Sequence, residues 1–251
     1  MNSDTLQLSA PAQSVSVSTG FKFLSPEEHE YRRFCCTNCG HTFDVPIYCK
    51  NRFCPTCSYS RSIKTEARLL YLLSHLPNLP GYSVKMLTLT IRSQPDIDVM
   101  VKDIIKYFRR LRQRSFWSKY FMGGVYVLEV TGRPNSWHVH IHAVVLCRFI
   151  PYTLLLRHWK SVTGSTGVYI SRIPKKSAVS YLTKYLTKCS FPLSLVPIIS
   201  HSLQSVRMFS CFGLFHNLIK DYKKPPYHCP NCGCINWILL DAIDFMFKRY
   251  S

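Results

Sequence analysis

Three histidines stand at alternate positions in the run Trp137-His138-Val139-His140-Ile141-His142-Ala143-Val144-Val145. A β-strand sends successive side chains to opposite faces, so His138, His140 and His142 line one side while Val139, Ile141 and Ala143 line the other. Neutral imidazoles bind divalent cations, and donors at alternating positions of a rigid strand converge without a long loop to order. A half-exposed strand with polar outward residues is the plainer account of one such histidine. Three in period two favour a metal.

Tyrosines supply a second reactive group. The stretch from Ser177 to Lys188 has helix-compatible composition, and Tyr181 and Tyr185 stand four positions apart. That spacing puts both phenols on one helical face, with Lys184 and Lys188 close by. A phenol is a weak nucleophile at neutral pH, its pKa being about 10. Nearby cations and a metal that polarises a target phosphate offset that weakness. Taken alone, tyrosines at helical spacing are more often core or interface residues.

The third metal ligand follows from the hairpin that must present the histidines. Gly124 to Thr131 alternates as a strand, and Gly132-Arg-Pro-Asn-Ser136 is turn chemistry, so the two strands form an antiparallel pair. This sets Glu129 beside the histidines. A carboxylate with two imidazoles and open positions suits magnesium or manganese. His138 competes with Glu129 for the third place and otherwise supports the ligands or contacts nucleic acid. Glu129 is preferred, because a glutamate is costly inside so apolar a strand.

Twelve cysteines carry the next signal. Cys36-Thr-Asn-Cys39 and Cys54-Pro-Thr-Cys57 are two C-x-x-C pairs with fourteen residues between them, a spacing close to the paired-knuckle zinc pattern. Cys49 lies between the pairs and competes with Cys36 as a ligand, and Cys35 and His41 are further candidates. Met1 to Gly20 is Ser-rich and polar without an apolar core of a signal peptide, so reduced thiols and a cytoplasmic location are expected. A second cluster, His228-Cys229-Pro-Asn-Cys232-Gly-Cys234, reads as half a zinc knuckle whose partner pair is not evident. His228, Cys234, or the distant Cys211 and His216, are the candidates to complete it.

Charge points to a polyanion. Lys and Arg number 32 against 13 Asp and Glu, a net charge of +19. Residues 102–119 concentrate it, with Lys106, Arg109, Arg110, Arg112 and Arg114 interleaved with Tyr107, Phe108, Phe116 and Trp117. Cations for phosphates and flat rings for stacking are what a single-strand track requires; a solvated helix with its aromatics in the core is the alternative. Around the cysteines, Arg52, Arg61, Lys64 and Arg68 offer further cations.

Together the histidine strand and the tyrosine helix resemble the HUH endonuclease superfamily, and most closely its plasmid rolling-circle replication initiators. The residues that carry the resemblance are His140-Ile141-His142, Lys184-Tyr185-Leu-Thr-Lys188 and the Leu/Thr-rich strand Met86-Leu87-Thr88-Leu89-Thr90. Cys49 to Cys57 also resembles the cysteine-rich element preceding the catalytic domain in such initiators. Val139 departs from the proline common at that place. The resemblance implies Mg2+ or Mn2+ on His140, His142 and Glu129, Tyr185 as nucleophile forming a 5′-phosphotyrosine bond, Lys188 or Lys184 screening charge, and Tyr181 either making a second strand transfer or packing. It also implies single-stranded DNA at a replication origin as substrate, with host helicase and polymerase as partners. No G-x-x-x-x-G-K-[S/T] motif is present, so unwinding must come from elsewhere.

The order of elements completes the reading. Residues 1–30 look disordered; 31–80 form a zinc module and a basic helix from Ser58 to Leu76; 81–190 hold the catalytic domain; 191–251 are an extension with a possible second zinc knuckle. Within the catalytic part come a strand at 84–92, a helix at 97–119, the hairpin, a helix near 152–162, a strand at 167–172 and the tyrosine helix at 175–188. This order predicts an α+β fold, an antiparallel sheet with helices on one face. Three other readings compete: a single-strand transposase of the same chemistry, a non-catalytic zinc-finger DNA-binding protein, and a metallohydrolase of small substrates, which leaves the charge unexplained.

Overall fold

The period-two pattern builds a five-stranded antiparallel sheet in the computed structural model, which describes residues 29–49, 52–187 and 191–240. In chain order the elements are β1 (Tyr31–Cys36), β2 (Thr42–Pro46), α1 (Pro55–Ser74), β3 (Ser83–Thr90), α2 (Ile97–Arg112), α3 (Ser115–Tyr120), β4 (Phe121–Arg133) and β5 (Ser136–Cys147). There follow α4 (Tyr152–Thr163), β6 (Gly167–Arg172), α5 (Lys175–Thr187), α6 (Val196–Ser202), β7 (Phe209–Gly213), α7 (Leu214–Leu218) and β8 (Trp237–Leu239). The large sheet runs β6-β3-β5-β4-β7, and a small one runs β2-β1-β8. The histidine strand β5 is therefore central.

The hairpin turn explains the register. Gly132 takes φ 107° and Asn135 φ 66°, conformations open to glycine and tolerated by asparagine, so Arg133 pairs with Ser136 across a tight turn. A Cβ on Gly132 would lie 2.3 Å from the Ser136 carbonyl oxygen. From that turn the ladder sets Glu129 opposite His140 and Val127 opposite His142. On the other side, β3 sets Thr88 opposite His142.

The expected α+β antiparallel architecture stands, with one addition: helices cover both faces. Val139, Ile141, Ala143 and Val145 of β5 pack with α2, α3, α4 and α6. Val144 and Leu146, on the histidine side, pack with α1, α5 and α7. The cause is in the sequence, since beyond His142 the strand is apolar on both sides and needs a second cover. The helix expected over 97–119 is two helices, because Arg114 turns extended (ψ 144°) and α3 restarts at Ser115. The break lets Trp117 stack on Phe121 (3.7 Å between centroids) and Phe116 on His158 (3.8 Å).

The segment after residue 190 is divided between the two sheets. Its β7 pairs with β4 from Gly123 to Val127, and its β8 pairs with β1 from Phe34 to Cys36. The stretch 1–28, expected to be disordered, lies outside the described residues, whereas His29 is buried. Among the described residues no helix is long and apolar enough to cross a membrane.

Candidate metal and nucleophile site

Because β5 and β4 alternate in register, Glu129, His140 and His142 emerge on one face of the sheet, under α5. His142 Nε2 lies 2.8 Å from Glu129 Oε2, both side chains being buried. The other ring nitrogen, Nδ1, lies 3.1 Å from the Tyr181 hydroxyl and 3.2 Å from Thr88 Oγ1. Thr88 and Tyr181 are themselves 3.0 Å apart. The imidazole is thus held at both nitrogens.

Tyr185 meets the same ring differently. Its phenol stacks flat on His142, centroids 3.6 Å apart at 6°, while Tyr181 is edge-on at 83°. Burial pushes the Tyr181 phenol up to about 12, with the neighbouring Tyr185 and Glu129 adding to the shift against the Thr88 hydrogen bond. The exposed Lys184 places Nζ 4.8 Å from the Tyr185 ring and 5.5 Å from that of Tyr181. Lys188 lies outside the described residues.

A divalent cation suits part of this donor set. Adjacent ligands of an octahedral ion with bonds of ~2.1 Å are ~3 Å apart, close to the spacing of His142 Nε2 and Glu129 Oε2. Two acceptor atoms that close require a proton or a cation between them. His140 Nε2 instead lies 3.5 Å from Thr131 Oγ1, and its ring is 5.9 Å from that of His142. Among the described residues, the groups of His, Cys, Asp and Glu whose ligand atoms all lie within 4.8 Å of one another are two thiol clusters, and His140 forms no third group with Glu129 and His142. His140 must turn its ring to join them. His138 stacks on His140 at 6.2 Å, farther along the strand.

The cysteines assemble otherwise than their spacing suggests. Cys36 and Cys39 do not share a site with Cys54 and Cys57; they meet Cys229 and Cys232, with Cys36 Sγ 3.6 Å from Cys232 Sγ and Cys39 Sγ 3.5 Å from Cys229 Sγ. The two halves match locally. Gly40 and Gly233 both take φ 73°, and each donates its N–H to the carbonyl of the first cysteine, Cys36 or Cys229. This loop turns backbone N–H groups toward sulfur: burial works against the Cys36 thiolate, but hydrogen bonds from the amides of Cys39 and Asn38 and from the Cys232 and Cys229 thiols together outweigh it and bring the group down to about 6. Cys234 and His228 stay outside the cluster, Cys234 accepting from the Asn236 N–H and His228 lying 3.1 Å from the Gly233 carbonyl.

The second cluster is Cys49, Cys54, Cys57 and His29. His29 Nε2 is 3.2 Å from Cys54 Sγ, and Cys49 Sγ is 3.5 Å from Cys57 Sγ. A tetrahedral ion with metal–sulfur bonds of ~2.3 Å has sulfurs ~3.8 Å apart, so both clusters have the dimensions to hold a metal ion such as zinc. Beside Cys54 and Cys57 it is Cys49 that stands in place of Cys36, and Cys36 belongs to the other cluster. His29 was not singled out by sequence, and a lone histidine in a polar leader gives no signal.

The cations expected to track DNA are split by the sheet. Lys106, Arg109, Arg110, Arg112 and Arg114 belong to the α2 side, opposite the histidines, because every buried residue of α2 packs on the Ile141 face. Phe108, Phe116 and Trp117 are buried there and are not available to stack on bases. Arg112 lies over Phe108 and Phe212, at 4.8 and 4.9 Å from their centroids. Lys184, Arg61 and Arg68 are on the tyrosine side.

The fold defines an α+β class, a five-stranded antiparallel sheet with a Cys/His-rich module at its side. Within that class, residues 42–150 match the model of the replication protein family. The match includes Glu129 and the histidine strand and stops short of the tyrosine helix. Three curated relatives are each called protein rep. That of Streptococcus pneumoniae serotype 2 (strain D39 / NCTC 7466) is 26% identical over 106 residues, covering 40% of this chain and 33% of that protein. That of Staphylococcus aureus is 25% identical over 143 residues (51% and 61%), and that of Lactiplantibacillus plantarum 24% over 107 residues (40% and 34%). The chain therefore spans between 33% and 61% of these relatives' lengths. No solved structure matches. The resemblance to plasmid replication initiators drawn from the sequence stands.

Proposed function

We propose that this protein nicks and rejoins single-stranded DNA at a plasmid replication origin through a tyrosine, starting rolling-circle replication. The observation that carries this reading is the stack of Tyr185 on His142, whose Nε2 faces Glu129 at 2.8 Å. The similarity to replication proteins supports DNA as the substrate class. Tyr185 Oη attacks the scissile phosphorus and forms a P–O bond, the bond to the 3′ oxygen breaks, and the tyrosine's proton passes to solvent while the leaving oxygen gains one as a 3′-OH. Host polymerase extends that end, and a host helicase opens the duplex.

Glu129 and His142 would hold a Mg2+ or Mn2+ ion, with His140, or His138 beyond it, as the third donor. The ion's contribution is to withdraw charge from the non-bridging oxygens of the phosphate. Tyr181 acts through His142: its hydroxyl fixes Nδ1 and leaves Nε2 aimed at Glu129. With its phenol pushed up to about 12 by burial, Tyr181 is harder to ionise for attack than a free phenol. Lys184, and Lys188 beyond the described residues, screen charge on the phosphate. The two thiol clusters would hold zinc in a structural role.

The test is direct. Incubating the protein with origin single strand and manganese should give a protein–DNA adduct stable to denaturing electrophoresis. A protein that binds the strand but never forms the adduct is a zinc-dependent DNA-binding protein instead.

A further inference from the structure

The ladder of β7 on β4 ends at Val127, Leu128 N–H still donates to Met208 O at 3.0 Å, and the β4 stretch from Leu128 to Val130 borders a cleft of about 410 Å³. Tyr185 and Glu129 line one side of it. Four arginines surround it: Arg52 from the metal-binding loop, Arg61 and Arg68 from α1, and Arg207 from the segment before β7. Arg68 and Arg207 are exposed, while Arg52 and Arg61 are half-buried. The remaining lining is largely apolar, with Phe53 and Phe191 edge to face at 5.2 Å.

The half-buried pair is built into place by main-chain carbonyls. Arg52 Nη2 donates to Val206 O at 3.0 Å, and Arg61 Nη2 donates to Arg52 O at 2.8 Å. Arg52 Nη1 is buried and has no hydrogen-bond partner among the described residues. A buried guanidinium with an unused donor is costly unless an acceptor joins it, and a phosphate oxygen is the acceptor its fork fits. Burial, together with the nearby charge of Arg61, holds the Arg52 pKa down, a strain that an anion would relieve.

We propose that this cleft seats one nucleotide of the single strand next to the phosphodiester at Tyr185, its phosphates on Arg52, Arg61, Arg68 and Arg207 and its base against the half-buried Phe53, which the buried Phe191 backs edge to face. The assignment rests on the nicking reading for the place of the scissile bond. It also gives the metal cluster at His29, Cys49, Cys54 and Cys57 a task, since that cluster fixes both the Arg52 loop and the start of α1. Arg52, Arg61 and Arg68 stand near the cysteines in the chain, but nothing in the sequence joins them to Arg207.

The experiment uses the full chain and a fluorescein-labelled oligothymidylate, read by anisotropy. Arg68→Ala and Arg207→Ala should each weaken binding roughly tenfold and make the salt dependence shallower by about one unit of slope. The exposed far-side pair Lys106→Ala/Arg110→Ala should leave affinity unchanged. Thymidine 3′,5′-bisphosphate should compete better than the same bisphosphate lacking the base. Unchanged affinity in both cleft variants overturns the proposal, and equal competition by the abasic compound overturns the base seat. Adduct formation is measured alongside. Cleft variants that bind and form adduct normally sink the cleft and leave the nicking reading standing. Loss of binding in those variants, with no adduct even from the parent protein, supports the cleft and sinks the nicking reading.

Discussion

Tyr185 lies flat on the His142 imidazole, with ring centroids 3.6 Å apart and an interplanar angle of 6°. Tyr181 touches the same ring through its hydroxyl, 3.1 Å from Nδ1. The two phenols therefore divide their work. Tyr185→Phe should abolish adduct formation while leaving DNA binding within about threefold, a margin of ~0.7 kcal/mol. Tyr181→Phe should slow the reaction and raise its manganese requirement, because a looser His142 holds the ion less well. Adduct yield against manganese concentration checks both, and a Tyr181 variant that fails completely while Tyr185→Phe reacts normally reverses the roles.

The two thiol clusters predict a stoichiometry. Elemental analysis should find two zinc ions per chain after brief EDTA treatment that reversibly stops nicking, because closed thiolate sites release metal slowly and an open oxygen-and-nitrogen site does not retain it. Cys36→Ser combined with Cys229→Ser should lose one ion, since both belong to one site. Loss of two ions would separate them. His140→Ala with His142→Ala should stop nicking and keep both ions.

Alkaline titration isolates Tyr181. Its phenol is pushed from 10.0 to about 12, mainly by burial, so it remains protonated in the folded protein at a pH where it would ionise in the unfolded chain. The stability it contributes is complete below pH 10.0 and is lost as the pH rises through about 12. Tyrosinate absorbance of the parent protein should show a late-titrating component that Tyr181→Phe removes. Identical curves would contradict this.

A packing test addresses the centre of the sheet. A Cβ on Gly124 would lie 2.6 Å from the Val144 carbonyl oxygen and 2.8 Å from Phe212 Cζ. Gly124→Ala should therefore cost about 1–3 kcal/mol by denaturant unfolding, with a reduced midpoint. A neutral result would mean that β5 and β7 shift apart without strain.

What could be read in the sequence was local. The alternation from Trp137 to Val145 specified a strand, the Gly132 turn specified its partner, and the spacing of Tyr181 and Tyr185 specified a helix presenting both rings to one side. Each depends on neighbours in the chain. The break at Arg114 was hidden because Phe116 and Trp117 continue an amphipathic pattern even though their rings turn into a different part of the core. Distant partnerships were hidden more deeply. Nothing in Cys36-Thr-Asn-Cys39 distinguishes Cys54 from Cys229 as its partner, and only the pairing of β1 with β8 decides it. The second cover of the sheet was foreshadowed by Val144 and Leu146, whose apolar side chains stand on the histidine face.

The four-thiol cluster also sets a clock on synthesis. Cys36 and Cys232 are separated by 196 positions. At elongation rates of roughly 5 to 20 residues per second, the first knuckle waits on the order of 10 to 40 s for the second to leave the ribosome. During that interval the nascent chain carries an open dithiol and an unpaired β1 edge, while His29, Cys49, Cys54 and Cys57 are already complete. One cluster can load while translation proceeds; the other records that translation has reached Cys232.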